Sequence, residues 1–523
     1  MADPLDQLEF NLTELLRDYK DTKEVLRALQ ASVDVFFLFT MSIIIFFMQA
    51  GFALLECGAV RSKNTTNILI KNMLDAYISG IAYWGFGYAL AFGEPDNAFL
   101  GWRYWFSEGI PDGKLSHWFF HFVFAATAAT IVSGAMAERC EFIAYFFYSS
   151  VITGFVYPIV THWAWSEKGW LAVGFGGVGY QDFAGSGVVH LLGGTAALVG
   201  AAFLGARIGR FDDDGTPKPI SGHNVPLAAL GGFILMFGFF AFNGGSQASV
   251  SKSGDGLAIS HAMMNTIISA SFAAFTALLA KKFGPAVYYC DRHSTDDWKL
   301  LSTINGALTG MVAVCAGCNV MEPWAACVLG LISGITYLLW SWGVEKMKID
   351  DPLDAVAVHG GGGLCGLLLA PILKIDGIIY NPSNTEAWLG FGVNMLGAVA
   401  IIFWTAAISA IIFGSLKAFK LLRVEQELEI RGLDVPKHGE PAYPSEAWGD
   451  GWSAGHINAK GKNRMNSSGG LETFVLPVVL PGQEGDDKSG TRKDSQVNFN
   501  LENSDADGYS NEAFSEKGES TKF

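Results

Sequence analysis

The stretch Asp182-Phe-Ala-Gly-Ser-Gly-Val-Val-His190 is repeated in outline later in the chain by Asp351-Pro-Leu-Asp-Ala-Val-Ala-Val-His359. Both read Asp, seven residues and His, and in both the histidine is followed by two glycines at the third and fourth positions after it. Each histidine also lies several residues inside a long apolar run. Equivalent histidines in two separate runs indicate that the chain contains two copies of one structural unit.

The apolar runs are long enough to cross a membrane. Half of the 523 residues are hydrophobic, only 16% are charged, and the mean hydropathy is +0.29. Soluble domains carry about a quarter charged residues, whereas a helix that spans roughly 30 Å of hydrocarbon needs about 20 apolar residues. The sequence therefore predicts an all-α integral membrane protein with eleven transmembrane helices, at 34–58, 70–93, 117–137, 142–165, 184–206, 226–247, 257–281, 298–317, 322–343, 354–373 and 388–416.

The two copies correspond to the first five spans and the next five, and the eleventh helix follows them. The first span contains Gln49-Ala50-Gly51 and the sixth contains Asn243-Gly244-Gly245, which agrees with that pairing. Because five crossings is an odd number, the second copy must insert upside down relative to the first. Inverted repeats of this kind place a substrate path at the interface of the repeats, near the middle of the membrane.

The basic residues of the loops predict the orientation. One alternating set of loops contains twelve Lys and Arg residues and the opposite set contains five. Because loops rich in Lys and Arg stay in the cytoplasm, the amino terminus is predicted outside and the carboxyl terminus inside. The triplet Asn11-Leu12-Thr13 would then be accessible to glycosylation, so Asn11 is a candidate glycosylated residue.

Changes in polarity divide the chain into four parts. Residues 1–33 are predicted to form an extracellular amphipathic segment, and 34–420 the transmembrane domain. Residues 421–460 are expected to pack on the cytoplasmic face as a regulatory tail, and 461–523 to be mostly disordered. From Leu421 onward, 18 acidic residues outnumber 11 basic ones in a chain of net charge −15. No basic stripe is present, which argues against nucleic acid as a partner.

The two repeated histidines are the sharpest chemical feature of the sequence. Inverted symmetry is expected to bring His190 and His359 together, and two imidazoles in contact cannot both be protonated cheaply. Such a neutral pair could bind an uncharged guest or relay a proton. The alternatives are two unrelated core histidines, or a metal site, for which no further ligand recurs at both positions; we expect no metal and no cofactor. Cys315-Ala-Gly-Cys318 has no second cysteine pair, so buried thiols are the preferred interpretation.

Several other polar and aromatic residues have ordinary explanations. Asp182 can cap the start of a helix, and its charge can also attract a cation. Trp165 is expected at the outer membrane interface, where tryptophan collects, although its face can bind a cation. Phe124 and Phe242 read as core aromatics, and Ser246 as a hydroxyl with lone pairs to offer a small cation.

A set of motifs resembles the ammonium transporter, methylammonium permease and Rhesus family, and within it the eukaryotic ammonium transporters. The resemblance covers about residues 34–445 and leaves 1–30 and the distal tail unmatched. The motifs are Gln49-Ala-Gly-Phe-Ala-Leu-Leu-Glu, Tyr88-Ala-Leu-Ala-Phe-Gly-Glu, Gly134-Ala-Met-Ala-Glu-Arg, Asp182 to His190 as quoted, Phe242-Asn-Gly-Gly-Ser, Glu322-Pro-Trp-Ala-Ala and Asp350-Asp-Pro-Leu-Asp-Ala-Val-Ala-Val-His-Gly.

The resemblance implies roles for the inner residues and for the whole assembly. The family's twin pore histidines fall on His190 and His359, and its pore-side aspartate on Asp182. The family forms homotrimers in which each subunit has its own pore. The segment Leu421–Tyr443 is similar to the family's regulatory tail, but Pro436 stands where many plant members have a regulatory threonine, so control by phosphorylation there is not expected to carry over.

The resemblance also implies an outer site and a function. The outer ammonium site falls on Phe124, Trp165 and Ser246, and a gate of stacked phenylalanines on Phe124 and Phe242. We expect a plasma membrane transporter that recruits ammonium, with methylammonium as an analogue, deprotonates it and conducts ammonia past the histidines, with or without the proton. The alternatives are a Rhesus-type gas channel, which the retention of Trp165 and Ser246 disfavours, and an ammonium sensor whose tail binds cytoplasmic regulators. The sequence contains no set of nucleophile and base that would indicate an enzyme.

Overall fold

The computed structural model describes residues 4–94, 96–283 and 298–444. Across those ranges the regular elements are helices joined by loops, and strand-like pairing is limited to isolated bridges. The predicted disordered tail, 461–523, lies outside the described residues, as does Cys290. The all-helical class predicted from the sequence is confirmed for the part of the chain that is described.

A helix lies at each of the eleven predicted segments. They are α1 (Pro4–Ala59), α2 (Thr65–Ala82), α3 (Asp112–Met136), α4 (Phe142–Val173), α5 (Ser186–Leu204), α6 (Val225–Gly245), α7 (Asp255–Phe283), α8 (Leu300–Val314), α9 (Pro323–Lys346), α10 (Val356–Leu373) and α11 (Thr385–Ala418).

Nine of these helices, within the described ranges, are long and apolar enough to cross a membrane. The two others are α2 and α8. Helix α2 contains Lys71 and Asp75, both fully buried, which lower its hydropathy, and α8 has only 15 residues. The structure therefore supports a multi-pass membrane protein, while the count of eleven crossings stays a prediction.

Helix α1 is longer than the sequence pattern suggested. Its first part runs without a break from Pro4 to Phe46, and a single turn residue, Phe47, separates it from Met48–Ala59. The boundary predicted at residue 33 is thus a change of side-chain polarity along one continuous helix. Consequently the amphipathic segment is held by the membrane helix that it leads into.

Helices α5 and α10 cross at glycines, which lets their backbones touch. A Cβ atom on Gly194 would lie 2.2 Å from the nitrogen of Gly360, and one on Gly363 would lie 2.4 Å from the carbonyl oxygen of Ser186. Small residues permit this close approach between membrane helices. The paired glycines after each repeated histidine therefore place the two histidine-bearing segments against each other.

The loops with most basic residues are joined by a buried charge cluster. Glu138 forms ion pairs with Arg61 at 2.8 Å and with Arg207 at 3.2 Å, and Arg207 also pairs with Asp350 at 2.8 Å. Burial acts to raise the pKa of Asp350, but the hydrogen bonds from Arg207 and the charge of Arg139 outweigh it and hold that pKa well below its usual range. The cluster ties together the ends of α1, α3, α5 and α9.

The described part of the predicted regulatory tail packs near the same cluster. Asp434 accepts a hydrogen bond at 2.9 Å from the backbone nitrogen of Asn67, at the start of α2. Lys437 pairs with Glu141 at 2.9 Å, next to the start of α4. Pro436 lies between these two contacts, in a short helical turn, Asp434–His438.

Candidate functional site

The two repeated histidines meet inside the protein. The Nδ1 atoms of His190 and His359 lie 3.1 Å apart, and the ring centroids are 5.2 Å apart with the planes 18° from parallel. The exposed fractions are 0% and 5%. Two ring nitrogens at that distance share one hydrogen, so one imidazole donates and the other accepts. Buried side by side, both rings are expected to be neutral.

Each histidine lies in a π-helical turn at the beginning of its helix. The turns are Ser186–Leu191 and Val356–Gly361. The residue three positions after the repeated aspartate has a left-handed backbone in both copies, Gly185 with φ 97° and Asp354 with φ 58°. π-Helical turns are rare and are frequent at functional sites. The two copies thus share an unusual backbone as well as a sequence pattern.

The repeated aspartates cap these turns. A carboxylate oxygen of Asp182 accepts from the backbone nitrogens of Gly187 at 2.8 Å and Val188 at 3.0 Å. At the matching position of the other repeat, Asp351 accepts from Val356 at 2.7 Å. Because the first amides of a helix have no partner inside it, such caps stabilise the turn. The observed role of both aspartates is therefore to hold the backbone that carries the histidines.

A continuous file of rings leads to the histidines from one end. Phe124 and Phe242 are fully buried and stacked, with centroids 4.0 Å apart and planes 17° apart. The indole of Trp165 is 6.0 Å from Phe124 in an edge-on arrangement, and Phe242 is 5.4 Å from His190. The rings therefore form one continuous row, in the order Trp165, Phe124, Phe242, His190 and His359.

Ser246 caps the carboxyl end of α6, next to the stacked pair. Its hydroxyl donates at 2.7 Å to the carbonyl oxygen of Phe242, one helical turn earlier, and the side chain is half-buried. Because its hydrogen is engaged there, the oxygen keeps lone pairs that can accept a hydrogen bond. Trp165 donates its ring N–H at 2.8 Å to the carbonyl oxygen of Asp182, which fixes the indole.

Sequence reasoning missed a second imidazole pair beside Trp165. The ring of His121 lies 5.7 Å from Trp165 and 6.4 Å from Phe124, and 4.3 Å from the ring of His117. Two histidines one turn apart at the start of an apolar span were the available signal.

Sequence reasoning also missed a buried acid next to His359. His359, Phe52, Glu56 and Thr130 line a cavity of about 30 Å³, which is large enough for one water-sized molecule. Glu56 accepts from Asn72 at 2.8 Å and from the hydroxyl of Ser133. An acidic residue inside an apolar span was the signal for it. Polar groups thus line the cavity next to the second histidine.

The CxxC pair adjoins the segment that carries His190, since the carbonyl oxygen of Cys315 accepts a hydrogen bond at 2.9 Å from the backbone nitrogen of Ala184. Cys315 and Cys318 are buried free thiols, and Cys315 donates at 3.1 Å to the carbonyl oxygen of Met311 within its own helix. In the described ranges, no group of three or more His, Cys, Asp or Glu residues is arranged to hold a metal ion.

Comparison with known proteins identifies the family. The model of the Ammonium Transporter Family matches residues 35–443. The chain belongs to the Ammonium Transporter Family. The family predicted from the sequence motifs is therefore confirmed, and the residues around the histidine pair all fall inside the matched range.

Relatives and solved structures agree with this membership. The chain is 51% identical over 442 residues to putative ammonium transporter 1 of Caenorhabditis elegans, covering 80% of each chain. It is 38% identical over 416 residues to ammonium transporter 1 member 1 of Arabidopsis thaliana, covering 75% of this chain and 81% of the relative.

Among solved structures, one described as a sensor Amt protein matches with TM-score 0.71 and 34% identity, over 79% of this chain and all of the other. The Candida albicans Mep2 structure has the same fold, with TM-score 0.65 at 24% identity over 76% of this chain and 87% of the other.

Proposed function

We propose that this chain transports ammonium across a membrane by recruiting the ion at Trp165, Phe124 and Ser246, removing a proton and passing ammonia along His190 and His359. The observation that carries the proposal is the unbroken row of rings from the partly buried Trp165 to two buried histidines in hydrogen-bonding contact. Membership of the ammonium transporter family supplies the substrate class.

The outer site must distinguish ammonium from potassium, which has the same charge and a similar size. Charge alone cannot do this, whereas hydrogen bonding can, because ammonium has four N–H donors. The free lone pairs of Ser246 accept one of them, and the face of Trp165 attracts the cation by about 0.5–2 kcal/mol. Potassium can also approach this oxygen and the indole face, but it has no N–H donor and forms no directed hydrogen bond. The proposed selectivity therefore depends on Ser246 and water.

Deprotonation is proposed to occur at the stacked phenylalanines, where ammonium gives its proton to water on the Trp165 side; that proton then either returns outside or crosses by a separate path. Phe124 and Phe242 lie in van der Waals contact, so a hydrated ion has no room between them unless the rings rotate. A bare cation in this apolar surrounding would pay a desolvation cost of on the order of tens of kcal/mol. Neutral ammonia avoids that cost and can accept a hydrogen from one imidazole while it donates to the other. The ring file thus favours the neutral species.

The proposal includes the predicted topology and assembly. We propose eleven crossings of the plasma membrane, an external amino terminus, a cytoplasmic carboxyl terminus and a homotrimer with one pore in each subunit. The concentration of basic residues in one set of loops supports this orientation. So does the buried charge cluster, which places Arg61, Arg139 and Arg207 at the same end of the protein.

The test is transport by histidine variants. Yeast without its own ammonium uptake should grow on low ammonium when it expresses this chain, and His190→Ala and His359→Ala should each lose ammonium-over-potassium selectivity in current recordings. His261→Ala is a matched control, because His261 lies in α7 and contacts the carbonyl oxygen of Met321 at 3.2 Å, outside the ring file. Unchanged transport and selectivity in both pore variants would refute the proposed role.

A second candidate function is ammonium sensing through the tail, either alone or together with transport. The similarity to the structure described as a sensor Amt protein favours it, as do the contacts of Asp434 and Lys437 with the membrane domain. Deleting residues 461–523 discriminates: loss of an ammonium-dependent signal with uptake retained supports both roles, whereas an unchanged signal excludes one that depends on that segment.

A further inference from the structure

The amino-terminal part of α1 carries large apolar side chains on its surface. Leu8, Leu15, Leu26 and Leu29 are 65%, 66%, 52% and 58% exposed. These residues precede the membrane-spanning part of α1 and lie among charged residues. A solvated helix gains nothing from such side chains, so their spacing needs an explanation.

The apolar side chains follow a heptad repeat. With the seven positions named a to g, successive a and d positions are separated by four and three residues without interruption, as in a coiled coil. Positions a are Leu12, Tyr19, Leu26 and Val33, and positions d are Leu8, Leu15, Thr22 and Leu29. Among these eight residues, Thr22 is the one that is neither aliphatic nor aromatic.

This segment cannot lie flat on the membrane surface. Since the helix is continuous from Pro4 to Phe46 and rises about 1.5 Å per residue, its first thirty residues project roughly 45 Å from the membrane helix that they lead into. Its position at the base is fixed, because Asp34 accepts from the backbone nitrogens of Val250 and Ser251 at 2.8 and 3.0 Å. A surface-lying helix would also need a polar face rich in Lys and Arg, but residues 4–33 contain six acidic and four basic residues.

We propose that residues 4–33 form a parallel coiled coil with the same segment of two further copies of the chain, on the amino-terminal side of the membrane. The helices must be parallel, because every copy enters the membrane through this helix in the same direction. The count of three rests on the homotrimer of the proposed function. Leu16 at an e position and Val25 at a g position widen the apolar seam beyond a and d, which suits more than two helices.

Charge at the edge of the seam fits the parallel arrangement. In a parallel coiled coil, a g residue lies beside the e residue five positions later on the neighbouring helix. Asp18 occupies a g position and Lys23 the following e position, so opposite charges meet between copies. Asn11, the candidate glycosylated residue, is at a g position beside the seam, where a glycan would obstruct close packing; the coiled coil therefore predicts low occupancy of that site.

Cross-linking at matched positions tests the coiled coil. In the purified full-length protein, Leu26→Cys puts a thiol in the seam, and Glu24→Cys puts one at an f position on the outer face of the same turn. A three-armed maleimide should produce covalent trimers at least tenfold more from Leu26→Cys, after subtraction of the unsubstituted chain. Equal yields from the two variants, or products that stop at dimers, would overturn the proposal. So would a Leu26→Cys thiol that is protected from a water-soluble thiol reagent in liposomes but not in detergent, because lipid and not a partner helix would then cover it.

A second variant pair measures what the coiled coil contributes. Leu15→Asn with Leu26→Asn should lower the temperature at which trimers dissociate in detergent by several degrees. Phe10→Asn with Ala31→Asn changes two f positions and should leave that temperature unchanged. Ammonium uptake should be retained in both proteins, which separates this interface from the pore. Equal dissociation temperatures would contradict a stabilising coiled coil.

Discussion

Gly194 of one repeat lies against Gly360 of the other so closely that a Cβ atom on Gly194 would be 2.2 Å from the Gly360 nitrogen. Gly360 directly follows His359, and Gly194 is one helical turn after His190. The contact between the two glycines therefore sets the distance between the imidazoles. A substitution here should change the histidine pair without removing a ring.

Gly194→Ala should reduce ammonium uptake at least tenfold. The added methyl meets backbone atoms that cannot give way, so α5 and α10 must separate, and overpacking of this kind costs about 1–3 kcal/mol. Methylammonium uptake at equal expression measures the effect. Gly343→Ala in α9 is the control, because no atom lies within 4 Å of its added Cβ. Equal uptake by both variants would show that the glycine contact does not position the histidines.

The sequence was sufficient to predict the helices, because each apolar run is long and separated by polar loops. It also predicted the internal repeat, since Asp182 and Asp351 begin the same pattern before His190 and His359. That pattern could not predict the π-helical turns, because an extra residue within a turn leaves the order of polar and apolar residues unchanged. The continuity of α1 through residue 33 was missed for a similar reason. The polarity of the side chains changes there, but no helix-breaking residue interrupts the helix.

Residues from distant helices were harder to assign. Phe124 and Phe242 come from α3 and α6, and nothing in their separate surroundings distinguishes a stacked pair from two core aromatics; the family resemblance, and not residue chemistry, singled them out. His121 was overlooked although His117 lies one turn before it, and Glu56 was overlooked because it is a single acidic residue in an apolar span. Only the packing of helices shows that one adjoins Trp165 and the other shares a cavity with His359.

Phe242→Ala should open the passage to ions. Removing one ring of the stacked pair leaves a gap beside Phe124 through which water reaches His190, so potassium currents should appear and ammonium selectivity should fall several-fold. Current recordings in the two salts measure this change. Phe233→Ala is the control, since Phe233 is in the same helix but 65% exposed. An unchanged potassium current in Phe242→Ala would contradict a gate at this ring.

The structural and electrostatic contributions of Asp182 can be measured separately. Asp182→Ala removes the acceptor for Gly187 and Val188 and should lower stability by about 0.5–2 kcal/mol, as for other helix caps. Asp182→Asn keeps an acceptor oxygen and should retain most of that stability. If the charge also attracts ammonium, Asp182→Asn should raise the ammonium concentration at half-maximal uptake. Equal uptake curves for Asp182→Asn and the unsubstituted chain would assign Asp182 a capping role alone.

Acid should weaken the buried charge cluster around Asp350. The pKa of Asp350 is lowered in the folded protein, because bonds from Arg207 and the charge of Arg139 outweigh burial; in the unfolded chain it returns to about 3.9. A carboxyl with a depressed folded pKa stabilises fully above its unfolded pKa and loses that contribution as the pH falls toward the folded value. The apparent melting temperature in detergent should therefore fall between about pH 5 and pH 2.

Two variants check that this acid sensitivity belongs to the cluster. Asp350→Asn should melt at a lower temperature near neutral pH and lose part of the acid-dependent fall, because Arg207 then keeps only Glu138 as a charged partner; losing one member of a buried pair costs about 3–5 kcal/mol. Glu427→Gln breaks an exposed pair with Arg431, and exposed pairs contribute only about 0–1 kcal/mol, so it should behave as the unsubstituted chain. An identical acid-dependent fall in all three proteins would place the sensitivity elsewhere.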